Sequence, residues 1–202
     1  MPATEATGLT ALDALSERLL AAAPSLRVAA AAVDAERQAA YRLRHAQVVD
    51  HGWVDAADLP EGLEFDAYDA DALHVCAWDG KVLVGTVRLV FPEAGRPLPV
   101  ELDFDLKVEP HGQVVEAGRL VIAPTYRGDP AHRAWGALFA RAWVSMRARG
   151  YSVLAGAAAP RTIERLRALG LPFEILGPAC RHWGDERHPV RLDPARGAPR
   201  WF

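Results

Sequence analysis

Residues 114–157, VVEAGRLVIAPTYRGDPAHRAWGALFARAWVSMRARGYSVLAGA, decide the fold of this chain. The apolar run Val114–Ile122 predicts a strand, which Pro124 ends. Apolar residues at helical spacing over Arg133–Arg149 predict an amphipathic helix, and Tyr151–Ala157 predicts a buried strand. A strand, a crossover helix and a second strand in this order predict two parallel neighbours in one sheet.

The flanking segments predict an antiparallel front half and a short tail. Asp79-Gly80 between the apolar runs Leu73–Trp78 and Val82–Phe91 is a strong hairpin signal. A single α/β domain is therefore expected over residues 1–193, followed by a tail over 194–202. The other predicted elements are helices at Leu9–Ala22, Asp34–Val49 (capped by Asp34) and Pro160–Leu169, strands at Leu26–Ala32, Phe173–Gly177 and Val190–Leu192, and loops at 51–63 and, apart from one short helix, 92–110.

Composition excludes several classes of protein. The 202 residues are 50% hydrophobic and 24% charged, which is typical of a packed globule, and a net charge of -3 argues against non-specific nucleic-acid binding. Cys76 and Cys180 are too few for a disulfide framework or a paired-cysteine metal site, so no metal is expected. The first twenty residues carry several charges and no apolar stretch reaches about 20 residues, so we expect a cytoplasmic protein without a transmembrane segment.

Positive charge is concentrated in residues 126–169, which hold eight arginines against two acidic residues. A basic face on an otherwise acidic protein favours an anionic partner. The alternative is that these arginines line the solvent sides of two helices.

Four short motifs carry a resemblance to a known family. Glu116-Ala117-Gly118-Arg119 resembles the Glu-x-x-Arg pair on the corresponding strand of the autoinducer (acyl-homoserine-lactone) synthases. Asp66-Ala67-Tyr68-Asp69 resembles their Asp-x-x-Asp element, and Gly85-Thr86-Val87-Arg88 their Gly-x-x-Arg segment. Arg44 and Trp53 resemble the early Arg…Trp segment, and all four keep the family's order.

This resemblance implies an α/β chain of the GNAT (acyl-CoA N-acyltransferase) fold, a mixed central sheet with splayed parallel strands flanked by helices. It also implies an N-acyltransferase that moves an acyl chain from a phosphopantetheine thioester to the amine of a small amino-acid-like acceptor. Two departures argue that this amine is not the family's S-adenosylmethionine: the position four residues after Arg44 is Val48 rather than an aromatic, and Trp53 follows Arg44 one residue too early. Long-chain N-acyl amino acid synthases fit as well.

The acceptor site is expected to consist of charged residues from these motifs. Acidic side chains would bind an ammonium group and arginines a carboxylate, with Glu116 as general base. The alternative is a buried ion-pair network that pins the N-terminal segment to the sheet, and the two readings are compatible. Strand alternation places Glu116 and Arg119 on opposite faces, and Arg88 could pair with Glu116 or with Asp66 and Asp69. The acceptor-binding residues implied are Arg44, Trp53, Asp66, Asp69, Arg88 and Arg119.

The donor loop departs from that of acetyl-CoA enzymes of this fold, which have an Arg/Gln-x-x-Gly-x-Gly/Ala loop here. Within residues 127–133, Pro130 has no N–H to offer a pyrophosphate and Asp129 adds a repelling charge. This favours acyl carrier protein as donor, docked on the arginine-rich face, although a shifted loop could still bind acyl-CoA. Residues assigned to the donor are Val121 and Ile122, whose backbone amides would hold the oxyanion, and Arg127, Gly128, His132 and Arg133.

Two alternatives stay open at this point: an acetyl-CoA-dependent N-acetyltransferase, and a non-catalytic GNAT-like module that binds lipid or carrier protein. Acyl chain length and the acceptor's identity are also open. Five apolar residues could line an acyl pocket, but ordinary core positions are the favoured reading: Leu138, Phe139, Leu154, Leu166 and Phe173.

Overall fold

A computed structural model describes residues 3–126, 128–171 and 173–196. The helices are α1 (Ala3–Ala21), α2 (Asp34–Asp50), α3 (Pro99–Asp103), α4 (Asp129–Arg147) and α5 (Pro160–Ala168), and single 3-10 turns lie at Ala56–Asp58 and Pro60–Gly62. The strands are β1 (Leu26–Ala30), β2 (Leu73–Asp79), β3 (Val82–Val90), β4 (Val114–Ile122), β5 (Val153–Ala158), β6 (Phe173–Ile175), β7 (Cys180–His182) and β8 (Asp185–Leu192).

The chain divides into two compact units. The hairpin unit comprises residues 16–90 and 117–145, and the terminal unit comprises the residues up to 15, 91–116 and those from 146 onward. The division falls within β4, between Glu116 and Ala117.

The hairpin unit is built on antiparallel strands. β1 pairs with β2 and β2 with β3, and β4 follows β3 in the sheet. The predicted hairpin is confirmed, because β2 and β3 are joined by a tight turn whose Gly80 has a φ of 57°. Ala123 at the end of β4 donates its N–H to the carbonyl of Val84 in β3 at 2.9 Å.

The terminal unit contains the predicted parallel pair. β4 and β5 share three register pairs, from Val114 with Val153 to Glu116 with Ala155, and the ladder ends there. β4 continues for six more residues beyond this ladder. β8 pairs antiparallel with β5, with β6 and, through a separate ladder, with β7.

Several predicted boundaries were wrong. α4 begins at Asp129 rather than at Arg133, because Pro130 fits the first helical turn, where no N–H is needed. Asp34 is the first residue of α2 and not its cap; the cap position is Val33, and the Glu36 carboxylate accepts the N–H of Ala32 at 2.8 Å. α1 starts earlier than predicted, at Ala3.

The polar C-terminal strands were also missed in part. β8 starts at Asp185 rather than Val190, and β7 was not predicted, because their charged residues show no apolar alternation. The tail beginning at 194 stays a prediction. Within the described residues Pro194 is buried, and a Cβ on Gly8 of α1 would lie 2.3 Å from its carbonyl oxygen.

The five apolar residues discussed above occupy core positions. Leu138, Phe139, Leu154 and Leu166 are buried, and Phe173 packs against Ala158, Ile163 and Val190. Among the helices of the described residues, none has both the length and the apolar content that crossing a membrane requires.

Candidate functional site

The face of the β2–β3 hairpin that meets α2 is polar and buried. His74 and Arg88 are register partners across the hairpin, and Cys76 and Thr86 form the next pair on the same face. All four are at most 2% exposed, and the ring of Tyr41 in α2 lies 5.3 Å from that of His74. Because burying a charge is costly unless it is paired, the Arg88 guanidinium requires acidic partners here.

Those partners form an ion cluster of three arginines and three carboxylates, all in the hairpin unit. Arg44 of α2 uses all three guanidinium nitrogens, with Nε on Glu64 and Nη1 and Nη2 on the two oxygens of Asp69 at 2.7 and 3.0 Å. Arg88 donates from Nη1 to Asp66 at 2.6 Å and to Asp69 at 2.9 Å. The members of the ion cluster are Arg44, Glu64, Asp66, Asp69, Arg88 and Arg119.

Arg119 enters the ion cluster through an irregular backbone. Its φ of 52° lies in the left-handed region, which interrupts the alternation expected along β4. Its Nε donates to Glu64 and its Nη2 to Asp66, both at 3.1 Å. Alternation alone therefore could not predict the direction of this side chain.

The ion cluster has a closed half and an open half. In the closed half, Arg44, Glu64 and Asp69, the side chains are at most 3% exposed. In the open half the Asp66 side chain is 32% exposed and that of Arg119 is 16% exposed. Arg88 joins the two halves through its contacts with Asp66 and Asp69. The open half is where a small molecule can reach these charges.

Burial and ion pairing shift several pKa values. Burial raises the pKa of Asp69, but the hydrogen bond and charge of Arg44, with the charge of Arg88, outweigh it and hold that pKa well below its usual range. Burial lowers the pKa of Arg44, but its bonds to Asp69 and the charge of Glu64 raise it overall. Burial also lowers the pKa of His74, so this ring loses its proton at a lower pH than an ordinary histidine does.

Some polar atoms beside the ion cluster are buried without a partner. Within the described part of the chain, Nε and Nη2 of Arg88 and Nδ1 of His74 have no hydrogen-bond partner. The other ring nitrogen of His74 lies 3.1 Å from the carbonyl oxygen of Asp69 and 3.4 Å from the Tyr41 hydroxyl. Such groups are few in folded proteins, and each invites an explanation.

Five of the six residues assigned to the acceptor from sequence thus come together: Arg44, Asp66, Asp69, Arg88 and Arg119. The sixth, Trp53, has its ring next to that of His51, with the two ring centres 4.7 Å apart. Glu116 is 5% exposed, and its Oε2 accepts the N–H of Val100 in α3 at 2.7 Å. Of the two pairings open to Arg88, the one with Asp66 and Asp69 is found.

Glu64 was missed from the sequence. Its side chain is 3% exposed and bonds to Arg44 and to Arg119. The available signal was only its closeness in sequence to Asp66, because residues 63–66 have no regular secondary structure from which a common face could be predicted.

The residues assigned to the donor lie where β4 ends and α4 begins. Val121 and Ile122 are half-buried, and a Cβ on Gly85 would come within 2.9 Å of the Val121 carbonyl oxygen, so only glycine allows this close approach. Gly128 has a φ of 67°, while His132 and Arg133 are exposed in the first turns of α4. Arg127 lies outside the described residues.

Comparison with protein families agrees with this architecture. Residues 43–135, which include the whole ion cluster and the start of α4, match the family described as the acetyltransferase (GNAT) domain. The chain has the GNAT fold. No match was found among curated protein sequences.

Several solved structures resemble the chain at low sequence identity. FeeM, an N-acyl amino acid synthase from uncultured soil microbes, is 19% identical with a TM-score of 0.63, covering 84% of this chain and 91% of that one. The acyl-homoserine-lactone synthase LasI is 16% identical with a TM-score of 0.63, covering 84% and 89%. BjaI, a CoA-dependent acyl-homoserine-lactone synthase solved with SAM and isopentyl-CoA, is 20% identical with a TM-score of 0.64, covering 79% and 77%.

The GNAT match and fold support an N-acyltransferase enzyme. Within residues 3–126, 128–171 and 173–196, no group of three or more metal-ligating side chains could hold a metal ion.

Proposed function

We propose that this protein transfers an acyl chain from a phosphopantetheine thioester to the amine of a small amino-acid-like acceptor bound at the open half of the ion cluster. The observation that carries the proposal is a buried, charge-balanced cluster that reaches solvent at one acid, Asp66, and one arginine, Arg119. The opposed charges of an amino acid match such a pair.

Charge balance favours an acceptor that is itself neutral overall. The ion cluster holds three positive and three negative side chains, so a zwitterion leaves its total charge unchanged, whereas a lone amine or carboxylate would add an unbalanced charge near a buried site. Asp66 is the most exposed acid of the cluster and is suited to receive the ammonium group.

Glu116 is the proposed general base, acting directly or through a water molecule. It takes a proton from the ammonium group, and the neutral amine then attacks the thioester carbonyl carbon. The carbon–sulfur bond of the tetrahedral intermediate then breaks to give the amide, and the second proton lost by the nitrogen passes to the sulfur, which leaves as the thiol. The bond from the Val100 N–H fixes one Glu116 oxygen, and the backbone amides of Val121 and Ile122 are proposed to stabilise the oxyanion.

Acyl carrier protein is the proposed donor. In the first turn of α4, Asp129 opposes an anion and Pro130 lacks an N–H, which makes this helix start a poor pyrophosphate site. A carrier protein brings one phosphate and an acidic surface. The exposed Arg161, Arg165 and Arg167 of α5 offer part of the basic face for it.

Acyl-CoA is the second candidate donor, with acetyl-CoA as its short-chain form. Gly128 favours it, because this exposed glycine has a φ of 67° and leaves open space around its Cα, which permits close approach of a phosphate.

The test is acyl transfer by the purified protein from carrier-protein and CoA thioesters of several chain lengths to a panel of amines, read by mass spectrometry. The proposal expects N-acyl amino acids, formed faster from carrier-protein thioesters. Transfer from acetyl-CoA alone would identify the short-chain enzyme. Binding of thioester without any product would identify a non-catalytic module and overturn the proposal.

The role of Glu116 has its own test in single-turnover acylation. Glu116→Gln is expected to slow transfer by about 100-fold or more, while circular dichroism shows an intact fold. Glu93→Gln, at an exposed glutamate 3.3 Å from Arg96, is the matched control and should leave the rate unchanged. An unchanged rate in the Glu116 variant would remove it as the base.

A further inference from the structure

We propose that Glu101 is a positioning residue for acyl transfer, because it fixes the short helix whose backbone N–H orients the carboxylate of Glu116. This inference rests on the proposed function, in which Glu116 is the general base, and goes beyond it by naming the group that holds this base in place. It assigns Glu101 no contact with substrate or with the reacting atoms.

One oxygen of the Glu116 carboxylate is held by the backbone of α3. Val100, the second residue of this helix, donates its N–H to Oε2 at 2.7 Å, and Val100 and Glu116 are 1% and 5% exposed. A bond of this length between an N–H and a carboxylate is charge-assisted and therefore strong. The position of this Glu116 oxygen thus depends on where the backbone holds the Val100 N–H.

The backbone around Val100 is held in turn by the side chain of Glu101. Its Oε2 accepts the N–H of Leu98, just before α3, and its Oε1 accepts the N–H of Val108, after α3, both at 2.9 Å. The Glu101 backbone adds two bonds, donating to the Leu98 carbonyl at 3.0 Å and accepting the N–H of Leu106 at 3.1 Å. One residue therefore closes this segment of chain into a loop around Val100.

A buried carboxylate is a costly way to close a loop. Glu101 is 6% exposed, and burying a charge destabilises a protein unless hydrogen bonds compensate for it. α3 has only five residues, the first of them Pro99, so it has few backbone bonds of its own to fix its position. The two bonds to the Glu101 carboxylate supply that rigidity. A general base requires it, because a displacement of about 1 Å can lower a rate by about 100-fold.

The experiment is a double-mutant cycle of Glu101→Gln and Glu116→Gln, read by single-turnover rates at saturating donor and acceptor. Glu101→Gln keeps the shape of the side chain, but its NH2 group cannot accept an N–H, so the rate should fall about 10- to 100-fold. The acceptor KM should stay within about twofold, because Glu101 is not a member of the ion cluster. In the Glu116→Gln background the same change should have an effect of about threefold or less, because the base that Glu101 positions is already absent.

A purely structural role for Glu101 would lower the rate by the same factor in both backgrounds. That result, or an unchanged rate in Glu101→Gln, would overturn the inference. Glu36→Gln is the matched control, because Glu36 accepts the N–H of Ala32 ahead of α2 in the same way, and its rate should equal that of the wild type. If Glu101→Gln does not fold, Leu98→Pro replaces it in the cycle, since it removes one of the two N–H donors at a φ of -69° that suits proline.

Failure of the proposed function gives a different result. If Glu116→Gln alone leaves the rate unchanged, or if no amine is acylated, the proposed base or function fails, and the positioning is judged from hydrogen exchange. Exchange of the Val100 N–H, relative to the amides of β3, should be about tenfold or more faster in Glu101→Gln and unchanged in Glu36→Gln. Equal exchange of Val100 in the wild type and in Glu101→Gln overturns the inference whatever the activity.

Discussion

The closed and open halves of the ion cluster contain the same types of side chain but differ in how fully those side chains are buried and paired. In the closed half every nitrogen of Arg44 is bonded to a protein carboxylate, and no side chain is more than 3% exposed. In the open half Asp66 and Arg119 reach solvent, and the buried Nε and Nη2 of Arg88 beside them have no hydrogen-bond partner among the described residues. In the proposed function, the closed half therefore stabilises the fold and the open half receives the acceptor.

The largest expected effect is on the closed half. Arg44→Met leaves Glu64 and Asp69 buried without their main partner, so the free energy of unfolding measured in urea should fall by about 3–5 kcal/mol. Arg37→Met removes only the exposed ion pair with Asp34, so the free energy of unfolding should change by about 1 kcal/mol or less. Equal losses in the two variants would show that the closed half has no special structural role.

A kinetic effect is expected in the open half. Asp66→Asn removes the charge that receives the ammonium group, so kcat/KM for the acceptor should fall by about 10- to 100-fold, while the free energy of unfolding changes by about 1 kcal/mol. The measurement pairs steady-state kinetics with urea unfolding. If Asp66→Asn lost as much stability as Arg44→Met, or kept the wild-type kcat/KM, the two halves would not differ in the way proposed.

A smaller effect depends on pH. The pKa of His74 is lower in the folded protein than its ordinary value of 6.5, so the unfolded chain binds the proton more readily. The stability contributed by the neutral ring is complete above pH 6.5 and is lost as the pH falls from there through the folded pKa, at a slope of up to about 1.4 kcal/mol per pH unit. Asp69, whose pKa is also lowered, adds a second loss below its ordinary value of 3.8.

The variant His74→Gln should flatten the dependence of unfolding free energy on pH just below 6.5, measured by urea unfolding at a series of pH values. His111→Gln, in an exposed loop, serves as the control and should leave the curve unchanged. A His74→Gln curve with the wild-type slope would show that His74 does not couple protonation to folding.

The smallest expected effect concerns Tyr41. Its hydroxyl lies 3.4 Å from Nε2 of His74, which is long for a hydrogen bond. The same nitrogen lies closer, at 3.1 Å, to the carbonyl oxygen of Asp69. Tyr41→Phe should therefore lower the free energy of unfolding by about 0.5–1.5 kcal/mol at most and leave kcat/KM for the acceptor unchanged. A fall in kcat/KM would show that Tyr41 contributes to acceptor binding.

The sequence predicted the parts of this molecule that follow from local patterns. Asp79-Gly80 predicted the hairpin, and the apolar run at 114–122 predicted β4 with its observed bounds. The spaced acids at Asp66 and Asp69 belong to the ion cluster because the turn between them directs both carboxylates toward the arginines.

Features that depend on packing were not predicted. Arg119 turns into the ion cluster only because its backbone leaves the strand conformation, and β7 and the start of β8 consist of charged residues without alternation. Glu64 belongs to no motif, and its place becomes evident only when Arg44 and Arg119, which are distant in sequence, are brought to it. Which nitrogens of an arginine stay unpaired is a property of the assembled cluster and not of any segment.

The most direct test of the central claim is a crystal structure of the protein with its best amino acid acceptor bound in the absence of donor. We expect the acceptor at the open half of the ion cluster, with its amine about 2.7–3.2 Å from a carboxylate oxygen of Asp66. An acceptor bound away from the ion cluster would contradict this expectation.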